Sequence, residues 1–191
     1  YDRRRVKGEL RRLHQVDMCQ ALGVMPDLKY QRDGGPGPAD IITAIRSVFA
    51  GEADVDRFVQ ALVFNWLIAG TDAHAKNYGL VLSGTNARLA PLYDVASALL
   101  MPEWNWHKWE LAMRINKQGK FTYLRIEDWK KFATSANVDF GVIETAIAEY
   151  SPALVDAVAE AARPTDLDVD ERAFDDLLGT LIELSDFLGG V

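Results

Sequence analysis

A short polar stretch between two apolar segments holds the residues best suited to chemistry. It reads Thr71-Asp72-Ala73-His74-Ala75-Lys76-Asn77, and a second carboxylate, Asp94, follows later in the chain. A buried polar group without a partner costs about 1–3 kcal/mol, so a stretch this polar is expected to be paired internally or to be functional. An Asp, an Asn five positions later and a second Asp about twenty positions later occur in this order in kinase-like phosphotransferases.

The oxygen-rich side chains of this stretch indicate a magnesium site. Carboxylate and amide oxygens are hard ligands that suit Mg²⁺, which takes its remaining ligands from water and from substrate phosphates. We therefore expect Asp94 to be the main metal ligand and Asn77 to be a second one, with ATP as the nucleotide. Asp72 is expected to accept a hydrogen bond from the attacking hydroxyl, because positioning and charge neutralisation supply most of the catalysis in such a transfer.

Two residues of the stretch, Lys76 and His74, have more than one interpretation. As a catalytic residue, Lys76 would neutralise the γ-phosphate. As a structural residue, it would form an ion pair with Asp72, and the sequence leaves both roles open. His74 is expected mainly to pack within the loop and to bond to backbone groups, with a place in the cofactor-binding site as the alternative.

A different metal chemistry also uses residues of this stretch. Asp72, His74 and Asp94 could bind Zn²⁺, Mn²⁺ or iron for metal-assisted hydrolysis. The other histidines, His14 and His107, lie outside any tight ligand spacing, and this disfavours such a centre. The remaining alternative is a purely structural loop, formed by a helix C-cap and a turn.

The composition excludes several classes of protein. The chain has 191 residues, of which 49% are hydrophobic and 26% are charged, as is ordinary for one large or two small globular domains. A net charge of −7 argues against a general nucleic-acid binder, although the first residues are basic. The single Cys19 excludes an internal disulfide and is typical of a reducing cytosol. No signal peptide or apolar run of about 18 residues is evident, so we expect a cytoplasmic protein without membrane contact.

The clearest helix of the chain, residues 54–68, precedes the polar stretch and should position it. Apolar residues recur at helical spacing around most of this segment, which predicts a central buried helix. Asp54 is the predicted N-cap, and Gly70 is predicted to end the helix.

A hairpin is predicted directly after the polar stretch. Residues 78–82 and 88–90 have β-like patterns and are separated by turn-forming residues. Such a hairpin reverses the chain, so it would return Asp94 to the side of Asp72 and Asn77.

The rest of the chain is predicted to be mainly helical, with short hairpins. The glycine-rich residues 34–38 predict a loop that opens a helix rather than a phosphate cradle, because prolines remove the N–H groups that a cradle needs. Trp104, Trp106 and Trp109 predict aromatic packing or, alternatively, a ligand platform. Residues 1–6 and 9–13 predict a basic hairpin that is exposed to solvent or, alternatively, contacts a nucleotide, a partner or DNA phosphate. The other predicted elements are helices at 16–22 and through 41–49, a hairpin of 111–115 with 121–124, a helix from 126, and helices at 142–150, 152–162 and about 170–188.

Several separate segments share their residues with one family of proteins. They are residues 13–23 (LHQVDMCQALG), Lys29-Tyr30 followed by Gly34-Gly35-Pro36, residues 64–68 (FNWLI), residues 71–77 (TDAHAKN) and residues 89–94 (LAPLYD). Because these motifs occur in the family's order, the sequence resembles the HipA family, the serine/threonine kinase toxins of bacterial toxin–antitoxin pairs. The resemblance fades after about residue 135, where only helical character persists.

The resemblance implies a mainly α fold, with residues 1–191 forming a protein-kinase-like C-terminal lobe: a helical bundle with short β-hairpins around the catalytic loop. It implies Asp72 as the catalytic Asp, and Asn77 and Asp94 as ligands of Mg²⁺ on ATP. It further implies a protein substrate phosphorylated on Ser or Thr, for which an aminoacyl-tRNA synthetase is one candidate, and growth arrest as in bacterial persistence. The implied partner is a helix-turn-helix antitoxin of the HipB type, so contact with DNA is expected only through that antitoxin.

The sequence departs from the family's pattern at its start. A kinase also needs an N-terminal lobe with a Gly-rich loop and a strand Lys, and neither precedes Tyr1. We therefore expect these residues to be the C-terminal lobe of a longer protein and to be inactive alone. Two other classes remain open: a kinase-like enzyme acting on a small molecule or lipid, and a non-enzymatic pseudokinase or partner-binding module.

Overall fold

The computed structural model describes residues 2–48, 51–98, 109–161 and 179. Trp104, Trp106 and nearly all of the helix predicted at about 170–188 lie outside the described residues. The described helices are α1 Met18–Ala21, α2 Pro38–Ser47, α3 Glu52–Leu67, α4 Ile126–Ala136 and α5 Phe140–Ala161. The described strands are β1 Arg3–Val6, β2 Glu9–Arg12, β3 His14–Asp17, β4 Gly79–Ser83, β5 Asn86–Leu89, β6 Glu110–Ile115 and β7 Gln118–Lys120.

Helix α3 is the central element of the core, as its apolar spacing predicts. It contacts both α2 and α5, and burying each large apolar side chain contributes about 1.5–3 kcal/mol. The buried positions include Val55, Phe58, Val59, Leu62, Val63, Trp66 and Leu67. The predicted N-cap is wrong. Gly51 caps the helix, and Asp54 lies in the first turn, where its backbone N–H donates to Gly51 O at 2.9 Å.

A three-stranded antiparallel sheet, in the order β3-β4-β5, lies beside α3 and supports the polar stretch. Val16 pairs with Leu80 in this sheet, so the helix predicted over residues 16–22 is wrong in its first part. The helix begins only after Asp17, whose carboxylate accepts from Gln20 N at 2.8 Å while the Gln20 side chain accepts from Asp17 N at 2.9 Å. This reciprocal capping box fixes the change from strand to helix.

The other two sheets are two-stranded hairpins, and one differs from the prediction. Strands β1 and β2 pair across Lys7 and Gly8 as predicted. Strand β6 pairs with β7, so the predicted second strand at 121–124 is wrong. Asn116 and Lys117 both have positive φ angles, 48° and 68°, and form the turn earlier than expected. Two-residue turns with this geometry match the twist of paired strands.

The last described helix is longer than the sequence predicts. Helix α4 begins at Ile126 as expected. Helix α5 continues from Phe140 to Ala161 through Pro152, where two separate helices were predicted. Proline lacks an N–H group, so α5 loses one internal hydrogen bond at this point. Its buried Ile143 and Ala146 hold it in the core.

The glycine-rich loop at residues 34–38 opens α2, as predicted, and its N–H groups bond within the protein. Gly35 N donates to Tyr30 O at 3.0 Å, and Gly37 N donates to the Asp40 carboxylate at 2.9 Å. Pro38 is the first residue of α2, a position where a missing N–H costs nothing. These bonds make the loop a packed structural turn rather than a phosphate cradle.

Replacing Gly35 by alanine is expected to destabilise the protein by about 1–3 kcal/mol, as overpacking of a filled site does. A Cβ at this position would overlap the backbone carbonyl of Leu28, and a backbone atom cannot rotate away. Chemical denaturation measures the change. Gly141→Ala is the matched control, because there a Cβ meets only the exposed Asp139 side chain at 3.3 Å. Equal stability of Gly35→Ala and the wild type would contradict this packing.

Candidate active site

The polar stretch is tied to the core at its first residues. Ala69 adopts a left-handed conformation with a φ of 49°, and Gly70 N donates to Asn65 O at 2.6 Å. The buried Asn65 side chain donates in turn to the hydroxyl of the buried Tyr78 at 3.1 Å. A Cβ on Gly70 would lie 2.6 Å from Asn65 Oδ1, so glycine permits the close approach. The stretch therefore leaves α3 in a fixed direction. The chain turns away from the helix at Ala69, one residue before the predicted end at Gly70.

Asn77 and Asp94 lie side by side, as the predicted hairpin requires. Asn77 Nδ2 donates to Asp94 Oδ2 at 2.8 Å. Asp94 has a φ of 55°, a left-handed conformation that Asp and Asn adopt more readily than most residues. Asn77 Oδ1 is buried and has no hydrogen-bond partner among the described residues. The pair thus places a carboxylate next to a buried amide oxygen that no other described residue uses.

Asp72 is exposed, and its carboxylate is held by a residue that the sequence analysis did not assign to the site. Tyr30 Oη donates to Asp72 Oδ1 at 2.6 Å. This hydrogen bond to the carboxylate raises the pKa of Tyr30 above its usual value. No local signal points to Tyr30, because it lies 42 residues before Asp72. It stands out only as part of the Lys29-Tyr30 motif of the family resemblance.

Lys76 faces a different carboxylate from the one considered in the sequence analysis. Its Nζ lies 3.8 Å from Asp17 Oδ2, so the ion pair is formed with Asp17 and not with Asp72. The Lys76 side chain is 37% exposed, and exposed pairs of this kind contribute about 0–1 kcal/mol. Tyr93 Oη donates to Lys76 O at 2.6 Å and fixes the backbone there. Lys76 is therefore anchored through its backbone, and breaking its side-chain ion pair with Asp17 costs little.

His74 is buried beneath the loop, in agreement with a packing role. Its ring meets Tyr30 edge to face, with centroids 5.0 Å apart. Burial and then the nearby charge of Lys29 lower the pKa of His74, and Asp72 and Asp94 oppose this only in part. His74 is neutral at pH 7 as a result. Its Nδ1 is buried and has no partner among the described residues.

The free energy of unfolding is expected to decrease as the pH falls below about 6.5, because of His74. Because the pKa of His74 is lower in the folded chain, the unfolded chain binds the proton more tightly. Acidification therefore stabilises the unfolded chain relative to the folded one. Urea unfolding at about pH 7 and about pH 5 measures the difference. His74→Gln should flatten this dependence, whereas His14→Gln, at an exposed position, should leave it unchanged. A profile unaltered by His74→Gln would exclude His74 as its source.

An open cleft of about 680 Å³ adjoins the loop, within the range of ligand-binding sites. It is lined by Asp2, Arg12, Leu13, His14, Gln15, Asp17, Gln20, Lys76 and Tyr93. Lys76 and Tyr93 directly precede Asn77 and Asp94 in the chain, so the metal-ligand candidates stand next to the cleft. Most of this lining comes from β2 to α1, where the sequence indicated binding only as the alternative role of the basic hairpin.

The alternative transition-metal centre has no support in this geometry. Within residues 2–48, 51–98 and 109–161, no group of three His, Cys, Asp or Glu side chains is arranged to hold a metal ion. Asp72, His74 and Asp94 therefore do not form the ligand set that metal-assisted hydrolysis would need.

Comparison with known proteins identifies the family. The model of the HipA-like C-terminal domain matches residues 1–162. The chain belongs to the HipA-like family. The resemblance in the sequence is thereby confirmed, and it continues to residue 162 instead of fading after about residue 135. In the described part of this HipA-like chain, no helix is both long and apolar enough to span a bilayer.

Relatives of this HipA-like chain include proteins named as kinases. It is 35% identical over 173 residues to "Putative kinase Y4mE" of Sinorhizobium fredii, covering 89% of this chain and 40% of that protein. It is 32% identical over 134 residues to the serine/threonine-protein kinase toxin HipA of Shewanella oneidensis, covering 62% of this chain and 30% of that protein. The chain thus spans well under half the length of these relatives.

A solved structure shows the same fold. It is HipA of Shewanella oneidensis in complex with HipB and operator DNA, which superposes with a TM-score of 0.81. The match covers all of this chain and 49% of that one, at 23% sequence identity. The described residues therefore adopt the fold of the corresponding part of HipA, and strands β1–β7 accompany the predicted helices.

Proposed function

We propose that this HipA-like chain carries the metal-binding and acceptor-binding part of a kinase that depends on Mg²⁺ and ATP. The reaction is transfer of the γ-phosphate to a Ser or Thr hydroxyl of a protein. The single observation that carries the proposal is the contact of Asn77 with Asp94, in which a buried amide oxygen is left without a partner. Family membership and the kinase names of two relatives support the same class of reaction.

The residues of the pair fit a magnesium ion. Asn77 donates to Asp94 through its Nδ2 and keeps Oδ1 unpaired, while the exposed Asp94 carboxylate is open to an ion. Mg²⁺ prefers one or two protein oxygens and completes its ligands with water and phosphate oxygens. In this role the ion would neutralise charge on the β- and γ-phosphates. Asp94 and Asn77 would hold it at the edge of the cleft.

The other residues of the loop have roles that follow from their exposure. Asp72 is exposed and uses Oδ1 for Tyr30, so Oδ2 is available to accept a hydrogen bond from the attacking hydroxyl. We place the nucleotide in the cleft that Lys76 lines, where its ammonium group would move from Asp17 to a phosphate. His74 would support the loop from below as a neutral ring.

The proposed partners follow from the relatives. The HipA structure that shares this fold was solved with HipB and operator DNA. We therefore propose a helix-turn-helix antitoxin of the HipB type as the partner, a toxin role in the cytoplasm, and contact with DNA only through the antitoxin. An aminoacyl-tRNA synthetase is the candidate protein substrate.

Labelling of a cell extract tests the substrate class. The complete protein is incubated with γ-labelled ATP, Mg²⁺ and extract, and proteins are then separated from small molecules. The proposal predicts label on Ser or Thr of a protein, and no label when Mg²⁺ is chelated. Label in small molecules alone would instead indicate a small-molecule kinase. Absence of both labelling and ATP binding would indicate a non-enzymatic module.

A further inference from the structure

The contact between Tyr30 and Asp72 is not explained by the roles assigned so far. The two residues lie far apart in the chain, yet Tyr30 Oη is 2.6 Å from Asp72 Oδ1. We propose that Tyr30 is a positioning residue, whose hydroxyl fixes the Asp72 carboxylate so that its second oxygen meets the acceptor hydroxyl. This inference rests on the proposed function, since it assigns a task to the same reaction.

Tyr30 is itself held in place from several sides. Its carbonyl oxygen accepts from Asp33 N and from Gly35 N, both at 3.0 Å. Its ring meets the buried His74 edge to face, and the Lys29 ammonium and the Arg32 guanidinium lie 5.0 Å and 4.9 Å from the ring centroid. The packed glycine loop and the buried histidine thus define where the hydroxyl points.

Among the described residues, Tyr30 is the hydrogen-bond donor that holds the Asp72 side chain. Asp72 is exposed on a loop, where an unrestrained carboxylate samples several rotamers. A short hydrogen bond to a charged oxygen is stronger than one between neutral groups, so the phenol selects one orientation. Errors of about 1 Å in the position of a reacting group reduce rates by about 10²-fold. A fixed carboxylate would therefore raise the rate without contacting the nucleotide.

The geometry lets Tyr30 position Asp72 without blocking the access of the acceptor hydroxyl to it. A carboxylate has two oxygens and about four lone-pair sites, and one donor occupies only one of them. Tyr30 uses Oδ1, which leaves Oδ2 for the acceptor hydroxyl. The same bond raises the pKa of Tyr30, so the phenol stays protonated and keeps donating at neutral pH. Tyr30 therefore keeps its proton at neutral pH and acts as a hydrogen-bond donor to Asp72.

Tyr30→Phe in the complete protein tests the proposal. Phenylalanine keeps the ring beside His74 and removes only the hydroxyl, so the fold is retained. The expected result is a kcat lowered by about 10–100-fold with KM for ATP within about twofold of the wild type. Tyr123→Phe is the matched control, because Tyr123 is exposed and packs against Lys120 rather than the loop, and it should change neither constant.

A double-mutant cycle with Asp72→Ala, which removes the acceptor of the Tyr30 hydrogen bond, separates positioning from a general structural effect. If Tyr30 acts through Asp72, Tyr30→Phe has no further effect on kcat in the Asp72→Ala background. The proposal would be overturned if the two substitutions lowered kcat multiplicatively in the double variant. It would also be overturned if Tyr30→Phe alone left kcat unchanged or raised it. A wild-type protein that transfers no phosphate would overturn the proposed function itself, and this inference with it.

Discussion

Replacing Asp72 by asparagine in the complete protein is expected to lower phosphoryl transfer by about 10²–10⁴-fold, the usual contribution of a positioned acid–base group. Asparagine has the same shape and keeps an oxygen that accepts from Tyr30, but it cannot take the proton of the acceptor hydroxyl. Asp72 is exposed and contributes no core packing, so the melting temperature should be unchanged. Initial rates with labelled ATP, together with thermal melting, measure both effects.

The control for this variant is Glu144→Gln, which removes an exposed carboxylate on α5 far along the chain from the loop. It should leave the rate at the wild-type value. If Asp72→Asn keeps full activity, Asp72 has no role in the transfer. If its fold is lost, Asp72→Ala provides a second test of the same role.

Replacing Asp94 by asparagine is expected to weaken the affinity for Mg²⁺·ATP at least about tenfold, because even outer-shell changes at metal sites cost about 10–100-fold. The variant removes the charge that attracts the cation and sets two amides against each other at the 2.8 Å contact with Asn77. Calorimetric titration of ATP at several Mg²⁺ concentrations measures the change. The difference from the wild type should disappear when Mg²⁺ is removed.

Asp156→Asn is the matched control for the metal site, since Asp156 is an exposed carboxylate on α5. Its ATP affinity should follow the wild type at every Mg²⁺ concentration. An Asp94→Asn protein with the same behaviour as this control would remove Asp94 from the metal site.

The parts of the fold that depend on local sequence were predictable. Helix α3 follows from apolar residues at helical spacing, and the β4–β5 hairpin follows from two β-like segments around a turn. The contact of Asn77 with Asp94 could be inferred as well, because a hairpin has to bring the residues at its two ends together. Strand β3 was missed, since its extended form depends on pairing with the distant β4 and strand preference depends on context.

The contacts that orient the site were not predictable, because they join distant parts of the chain. Tyr30 reaches Asp72 across 42 residues, and Asp17 reaches Lys76 only because the β3–β4 pairing brings α1 to the loop. Polar residue types and their spacing therefore indicate the chemistry, while tertiary packing decides which carboxylate each donor meets.

A crystal structure of the complete protein with Mg²⁺ and a non-hydrolysable ATP analogue tests the central claim most directly. We predict a metal ion bound by the Asp94 carboxylate and by Asn77 Oδ1, at the distance of about 2.0–2.1 Å that Mg²⁺ requires. The phosphates would lie against Lys76, and Tyr30 would still donate to Asp72. A metal bound without Asp94 and Asn77, or a nucleotide bound away from this loop, would contradict the account.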